Sequence, residues 1–280
     1  KIRVEKCYSN GKKDITYKSL REIIWRKCRL QVVCAKYKEQ YEIYPIYIDT
    51  DGAWYIYQKP VEEIKVVTIG TKLEELQPVD NIIEYLKQVD IAFPVLHGLG
   101  GEDGSIQGLF KMLDLPYVGC GILASSVGMD KVYAKIMFEK AGIPQTKHVY
   151  LKVNNNEYTY VEPNFDEKKM GLSNIVEKIE VNLCYPMFVK PSNSGSSVGV
   201  KKATNRQELE EAIQYAAKFD TKILVEQGIL GREVECAVLG NDEVISSPVG
   251  EVLSAEDFYS FDAKYTNQES RTVIPADIDK

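Results

Sequence analysis

The sequence predicts an α/β protein built around a parallel sheet, and three stretches predict it. "VDIAFPVLHG" at 89–98 is an apolar run that ends in a polar, glycine-rich loop. "DGSIQGLFKMLDL" follows with Ile106, Leu109, Phe110 and Leu113 on one helical face. "PYVGCG" at 116–121 reads as a short strand. Strand, loop, helix, strand is the order of a parallel unit, whose ligands gather at the carboxyl ends of its strands.

The other elements follow in chain order. "YEIYPIYID" (41–49) alternates and is rich in Tyr and Ile, so it is a strand, and "DGAWYIY" turns into a second one. A single helix is expected over roughly 125–141, after "ASS", closed by the glycine and proline of "AGIP". Residues 146–152 form a strand, and the polar stretch 154–169 reads as a loop or insertion. Then come the strand "YPMFVK", a small-residue loop, "VGVKKA", and a helix over about 206–219. Strands are expected at 222–227, 233–240 and 243–252.

Composition narrows the class. A chain of 280 residues, 44% hydrophobic and 27% charged, is an ordinary globular protein with room for two or three domains. "KIRVEK" begins no signal peptide, and no apolar run approaches the ~18 to 20 residues of a membrane span. Cys7, Cys28, Cys34, Cys120, Cys184 and Cys236 are scattered without a CxxC pair, which predicts reduced thiols and a soluble cytoplasmic protein. Cys120 is expected to be small and buried. Two histidines are too few for a His-rich metal site. Between Glu5 and Gln40 ten Lys or Arg face four Asp or Glu, a local +6, so the remainder carries −6 − 6 = −12. That acidic remainder would repel a phosphate backbone, so no nucleic-acid partner is expected.

The loop in "YPMFVKPSNSGSSVGV" (185–200) carries the first functional signal. Its glycines, Gly195 and Gly199, let backbone approach a ligand, and successive N–H groups there can form an anion-binding nest. Ser194, Ser196 and Ser197 add hydroxyls, and Lys190 places an ammonium at the strand end. No Gly-Lys-Ser/Thr closes the loop, so it is not a P-loop. Alone, such a loop is more often just a hairpin connection. Its companions are "HGLGGEDGSIQG" (97–108), with His97 at a strand end, "MDK" (129–131), "LVEQGILGREVE" with Glu226 and Glu233, and "AKY" (263–265).

In order and spacing these motifs resemble the D-alanine–D-alanine ligase family of the ATP-grasp superfamily, from about Tyr41 to the last residue. The resemblance implies an ATP-grasp fold preceded by a Rossmann-like parallel α/β N-terminal domain. The expected divisions are 1–124 for that domain, 125–222 for the central ATP-grasp lid domain, and 223–280 for the start of a truncated C-terminal ATP-grasp domain. It implies ATP-dependent ligation of two D-alanines through a D-alanyl phosphate, in a homodimer. Lys131 and Lys190 would contact the ATP phosphates, with the 193–199 loop, including Ser194, Gly195 and Ser197, folding over them. Glu226 would sit near the adenine and its ribose, and Glu233 would hold a ribose hydroxyl. Lys264 would reach the γ-phosphate from a mobile loop over roughly 251–269. Tyr265 would hydrogen-bond Ser196 and close the site, and His97 would lie near the first D-alanine. Tyr265 speaks against a D-lactate enzyme and leaves D-serine open. Glu102 and Asp103 are expected to brace their loop and the following helix.

Two departures accompany the resemblance. "KIRV" fits a first strand, but residues 5–40 do not fit the family's glycine-rich turn and acidic motif. "KDIT" (13–16) is the nearest echo, with Asp14 for a glutamate. A shifted reading frame would account for the segment, and the other frames of the coding DNA test it. The second departure is at "IPADIDK". The family's Mg²⁺ ligands, an arginine and most of the second-substrate pocket are expected beyond Lys280, so no metal ligand is assigned within the chain. These 280 residues alone are then expected not to ligate, and a nucleotide-binding remnant stays open as a reading.

Overall fold

The computed structural model describes residues 21–25, 41–48, 52–57, 76–96, 98–195, 197–253 and 271–278, with backbone alone at 21–25 and 271. These fall in two compact units, residues 1–126 and 127–280.

The first unit holds a five-stranded sheet in the order β4-β3-β2-β1-β5. Its strands are β1 (Arg21–Trp25), β2 (Glu42–Ile48), β3 (Trp54–Tyr57), β4 (Leu76–Pro78) and β5 (Pro94–Val95). β1 runs parallel to both β2 and β5, while β3 and β4 are antiparallel to their neighbours. The sheet is therefore mixed, parallel across β2-β1-β5 and antiparallel across β2-β3-β4. Residues 21–25 supply both of its parallel pairings, although they lie in the segment that fits no expected element. The run at 89–98 shrinks to β5, and 116–121 to a bridge between Ala92 and Tyr117.

Helices α1 (Ile82–Leu86) and α2 (Ser105–Met112) belong to this unit. α2 buries Ile106 and Phe110, as its spacing predicts, while Leu109 and Leu113 of the expected face are half-buried and Gln107 is buried outside it. Its entry is braced by carboxylates. Glu102 accepts from Gly98 N at 2.5 Å, and Asp103 accepts from Gly100 N at 2.8 Å and Ser105 N at 2.9 Å. Cys120 is exposed rather than buried, because the strand expected to enclose it does not form.

The predicted helix at 125–141 is two helices, α3 (Ile122–Met129) and α4 (Lys131–Lys140). Asp130 separates them with extended backbone and caps α4, accepting from Val132 N at 3.1 Å and Tyr133 N at 3.2 Å. An aspartate offers the helix start an acceptor that no helix interior needs, so apolar spacing alone misses the break.

The second unit is built on a six-stranded antiparallel sheet, β10-β9-β11-β6-β7-β8. Its strands are β6 (His148–Asn154), β7 (Glu157–Val161), β8 (Glu167–Met170), β9 (Met187–Pro191), β10 (Lys201–Ala203) and β11 (Lys222–Gln227). Residues 154–169 are thus a meander rather than a loop. Asn155 and Asn156 take positive φ and turn the chain between β6 and β7. Charged residues on an outer strand masked that signal, because β8 is the edge.

Helices α5 (Leu172–Asn182) and α6 (Arg206–Ala216) cover one face. α5 buries Ile175, Val176 and Ile179, and α6 buries Leu209, Ala212, Ile213 and Ala216. They pack on Leu151, Val153, Met187, Val189, Ile223 and Val225. Each buried Leu, Ile or Val contributes about 1.5–3 kcal/mol. The expected strands at 233–240 and 243–252 are each broken in two. They give β12 (Glu233–Glu235), β13 (Val238–Gly240), β14 (Val244–Ser246) and β15 (Gly250–Leu253). β15 pairs with β12 and with β16 (Arg271–Val273), and β13 pairs with β14. β15 also takes the first residues of the segment expected to be a mobile loop.

Candidate functional site

Strand alternation creates the site. On β9, Met187 and Val189 point into the core, so Phe188 and Lys190 face the other way. On β11, Ile223 and Val225 are core, so Leu224 and Glu226 share that opposite face. Lys190 lies opposite Leu224 and Glu226 opposite Phe188, which makes Lys190 and Glu226 diagonal neighbours. Their side chains form an ion pair.

Helix α4 brings two more lysines to this face. Lys135 Nζ lies 2.6 Å from Glu226 Oε1, with both side chains largely buried. Lys131 Nζ donates to the Ser192 carbonyl at 3.3 Å and to the Ser194 carbonyl. Two ammonium groups therefore hold one carboxylate, and the charge of a third, on Lys131, is felt beside them. Burial raises the Glu226 carboxyl, but Lys190 and Lys135 outweigh it and hold the group below its ordinary value. Burial, and then the charge of Lys190, lower Lys131 from the ordinary lysine range. Lys135 was missed by sequence reading. Its one signal is a position four residues after Lys131, one helical turn on the same face.

The loop after β9 joins β9 to its antiparallel neighbour β10, so it is a hairpin connection as well as a candidate lid. Its base is tied down. Ser192 Oγ donates to Asp130 Oδ1 at 2.6 Å, and Lys131 N donates to the Ser192 carbonyl at 3.1 Å. Asn193 N donates to Asp220 Oδ2 at 2.7 Å, and its side-chain amide reaches Asp130 at 3.2 Å. Lys222 pairs with Asp130 and lies 4.3 Å over the Tyr133 ring. The tip holds itself together through Ser194 Oγ to the Val198 carbonyl at 2.6 Å and Val198 N to the Gly195 carbonyl at 3.0 Å. Ser197 and Gly199 take φ values of 60° and 77°. A Cβ on Gly199 would come within 2.5 Å of Pro191 Cγ, so that position has no room for a side chain.

Of the expected site residues, the structure brings together Lys131, Lys190, Glu226 and the loop carrying Ser194, Gly195 and Ser197. Glu233 stands exposed on β12, in register with Val252 of a different sheet, and forms no ion pair with the lysine cluster. His97, Ser196, Lys264 and Tyr265 lie outside the described residues, as do "KIRV" and Asp14. The donor set fits a polyphosphate, since Lys131, Lys135, Lys190 and Lys222 against Glu226, Asp130 and Asp220 leave a local positive charge beside the backbone and hydroxyl groups of the loop. Among the described residues no group of three or more His, Cys, Asp or Glu is placed to hold a metal ion. No helix there is long and apolar enough to cross a membrane.

Comparison with known proteins agrees with this geometry. The family model described as the D-ala D-ala ligase N-terminus matches residues 28–120, and that of the D-ala D-ala ligase C-terminus matches 137–280. The likeness therefore begins before Tyr41, and residues 28–40 fit the family pattern after all. The D-alanine–D-alanine ligase of Acetivibrio thermocellus is 46% identical over 86% of this chain and 67% of its own length. That of Bacillus velezensis is 42% identical, over 89% and 70%. The chain thus spans about two thirds of these relatives' length. Among solved structures, the VanG D-Ala:D-Ser ligase of Enterococcus faecalis superposes with a TM-score of 0.72 at 34% identity, covering 94% of this chain and 78% of its own. The D-alanyl-alanine synthetase A of Vibrio cholerae gives 0.64 at 25%, covering 94% and 75%. A lysine-lined hairpin loop over an antiparallel sheet, matched across both halves to one set of relatives, means that this chain belongs to the D-alanine–D-alanine ligase family.

Proposed function

We propose that this protein joins two D-alanines at the expense of ATP, giving D-alanyl-D-alanine for peptidoglycan precursors. A carboxylate oxygen of the first D-alanine attacks the γ-phosphorus and ADP leaves. The amine of the second then attacks the acyl carbon and phosphate leaves. Such chemistry needs positioning, charge neutralisation and exclusion of water more than covalent help.

The observation that carries this reading is the lysine-rich cluster of Lys131, Lys135, Lys190 and Glu226 at the base of the 193–199 loop. In it Lys131 and Lys190 neutralise phosphate oxygens, while Ser194, Gly195 and Ser197 cover them. Glu226 and Glu233 take the nucleoside. Ser196, Tyr265, Lys264 and His97 complete the reacting end. Mg²⁺, which neutralises phosphate charge when bound, would be held by acidic residues other than the described ones. The division at 124 and 222, a cytoplasmic location and a homodimer belong to the same proposal.

Calorimetry of Mg-ATP with the chain and with Lys190→Ala tests the site, and affinity is expected to fall at least about tenfold in the variant. ADP release is then followed with D-alanine, with D-alanine plus D-serine, and without amino acid. The likeness to a D-Ala:D-Ser ligase makes D-serine the second reading, supported if D-serine raises the rate above D-alanine alone. ATP binding with ADP release indifferent to amino acid would leave only a nucleotide-binding remnant.

A further inference from the structure

Glu226 has two lysine partners, and they are not equivalent. The Lys135 side chain is 12% exposed and comes off the buried side of α4, whereas the Lys190 side chain is 28% exposed at the start of the loop. The glutamate between them is 9% exposed. Lys190 is thus the partner with access to a ligand, and Lys135 is the partner that is walled in. An ammonium committed to a carboxylate is poorly available to a second anion. If Lys190 were the sole counter-charge of Glu226, turning it to a phosphate would strand a buried carboxylate, which must then take a proton or keep its lysine.

We propose that Lys135 is a positioning residue that keeps Glu226 ionised and in place and thereby releases Lys190 to a bound polyphosphate. The inference rests on the reading of this cluster as a polyphosphate site. The arrangement supports it in three ways. Lys135 and Lys190 take different oxygens of the carboxylate, so one can leave without disturbing the other. Lys135 is anchored by its own helix, and Gln145 Nε2 holds its carbonyl at 2.7 Å. Lys131 gives two of its three N–H donors to loop carbonyls, and the ion pairs of Glu226 are with Lys135 and Lys190, so Lys131 does not stand in for Lys135.

The test is a double-mutant cycle of Lys135→Met and Glu226→Gln, read by calorimetry with ATP and with inorganic tripolyphosphate, which has no nucleoside for Glu226 to touch. Lys135→Met is expected to weaken both ligands about tenfold or more when Glu226 is present, and less than about threefold in the Glu226→Gln background. Lys135→Arg, which keeps the charge, is expected to stay within about threefold of the unmutated chain. Thermal unfolding confirms that each variant is folded, and Lys135→Gln replaces the methionine variant if that one is not. Equal losses in the two backgrounds overturn the inference, because Lys135 would then act on the ligand or on packing and not through Glu226. An unchanged affinity in Lys135→Met overturns it too. An unmutated chain that binds neither ligand sinks the site reading itself.

Discussion

Lys131 holds its proton less tightly than an ordinary lysine, because its ammonium is buried and Lys190 repels it. As pH rises through a lowered value the charge is lost early, and with it the attraction for phosphate. ATP affinity is therefore expected to begin weakening at a pH below the ordinary lysine value of 10.5, and Lys131→Arg, which stays charged throughout, is expected to flatten that decline. A titration of affinity against pH decides it, and a decline identical in both proteins would remove Lys131 from phosphate binding. Stability runs the opposite way. Between the folded and unfolded values the unfolded chain binds more protons at this lysine, so the group favours folding more as pH rises. Glu226 is lowered as well, so its contribution is present above the ordinary carboxylate value and is lost as pH falls through the folded one.

At the scale of elements, Asp130 decides how helix meets loop. It ends α3, caps α4, accepts from Ser192 and Asn193, and pairs with Lys222. One side chain therefore fixes the start of the helix that carries Lys131 and Lys135 to the strand end that carries Lys190. Asp130→Ala removes a cap and leaves Lys222 largely buried without its partner. A loss of about 3 kcal/mol is expected, measured by urea unfolding. A cost below about 1 kcal/mol would mean that solvent replaces the aspartate. "MDK" marks this junction in sequence, but it does not say that the aspartate is the hub and the lysine the spoke.

For the whole molecule, the described residues form two apolar clusters, one in each unit. One surrounds Ile46, Leu86 and Phe110, and the other lies between the six-stranded sheet and α5 and α6. A homodimer is expected from the family resemblance. Sedimentation at micromolar concentration should give twice the chain mass, and a single-chain mass would correct it. The acidic balance of the residues outside 5–40 was legible without any fold, whereas the role of residues 21–25 was not. No element is expected there from the sequence, yet β1 pairs on both sides in parallel.

The sequence by itself determined the motifs, the family resemblance and most elements, because helix and strand periods, caps and glycine turns are local and act within a few residues. α6 and β11 were readable in this way, and so was the bracing of the 98–104 loop by Glu102 and Asp103. Only the tertiary structure decided that Lys190 and Glu226 share a face, since register between β9 and β11 joins residues 36 apart. It alone turned 154–169 into a meander, split the helix at Asp130, and put Lys135 against Glu226. Charge at those positions has no periodicity to read. Its meaning depends on which buried neighbour the fold brings within reach, and burial is a property of the packed chain and not of the residue.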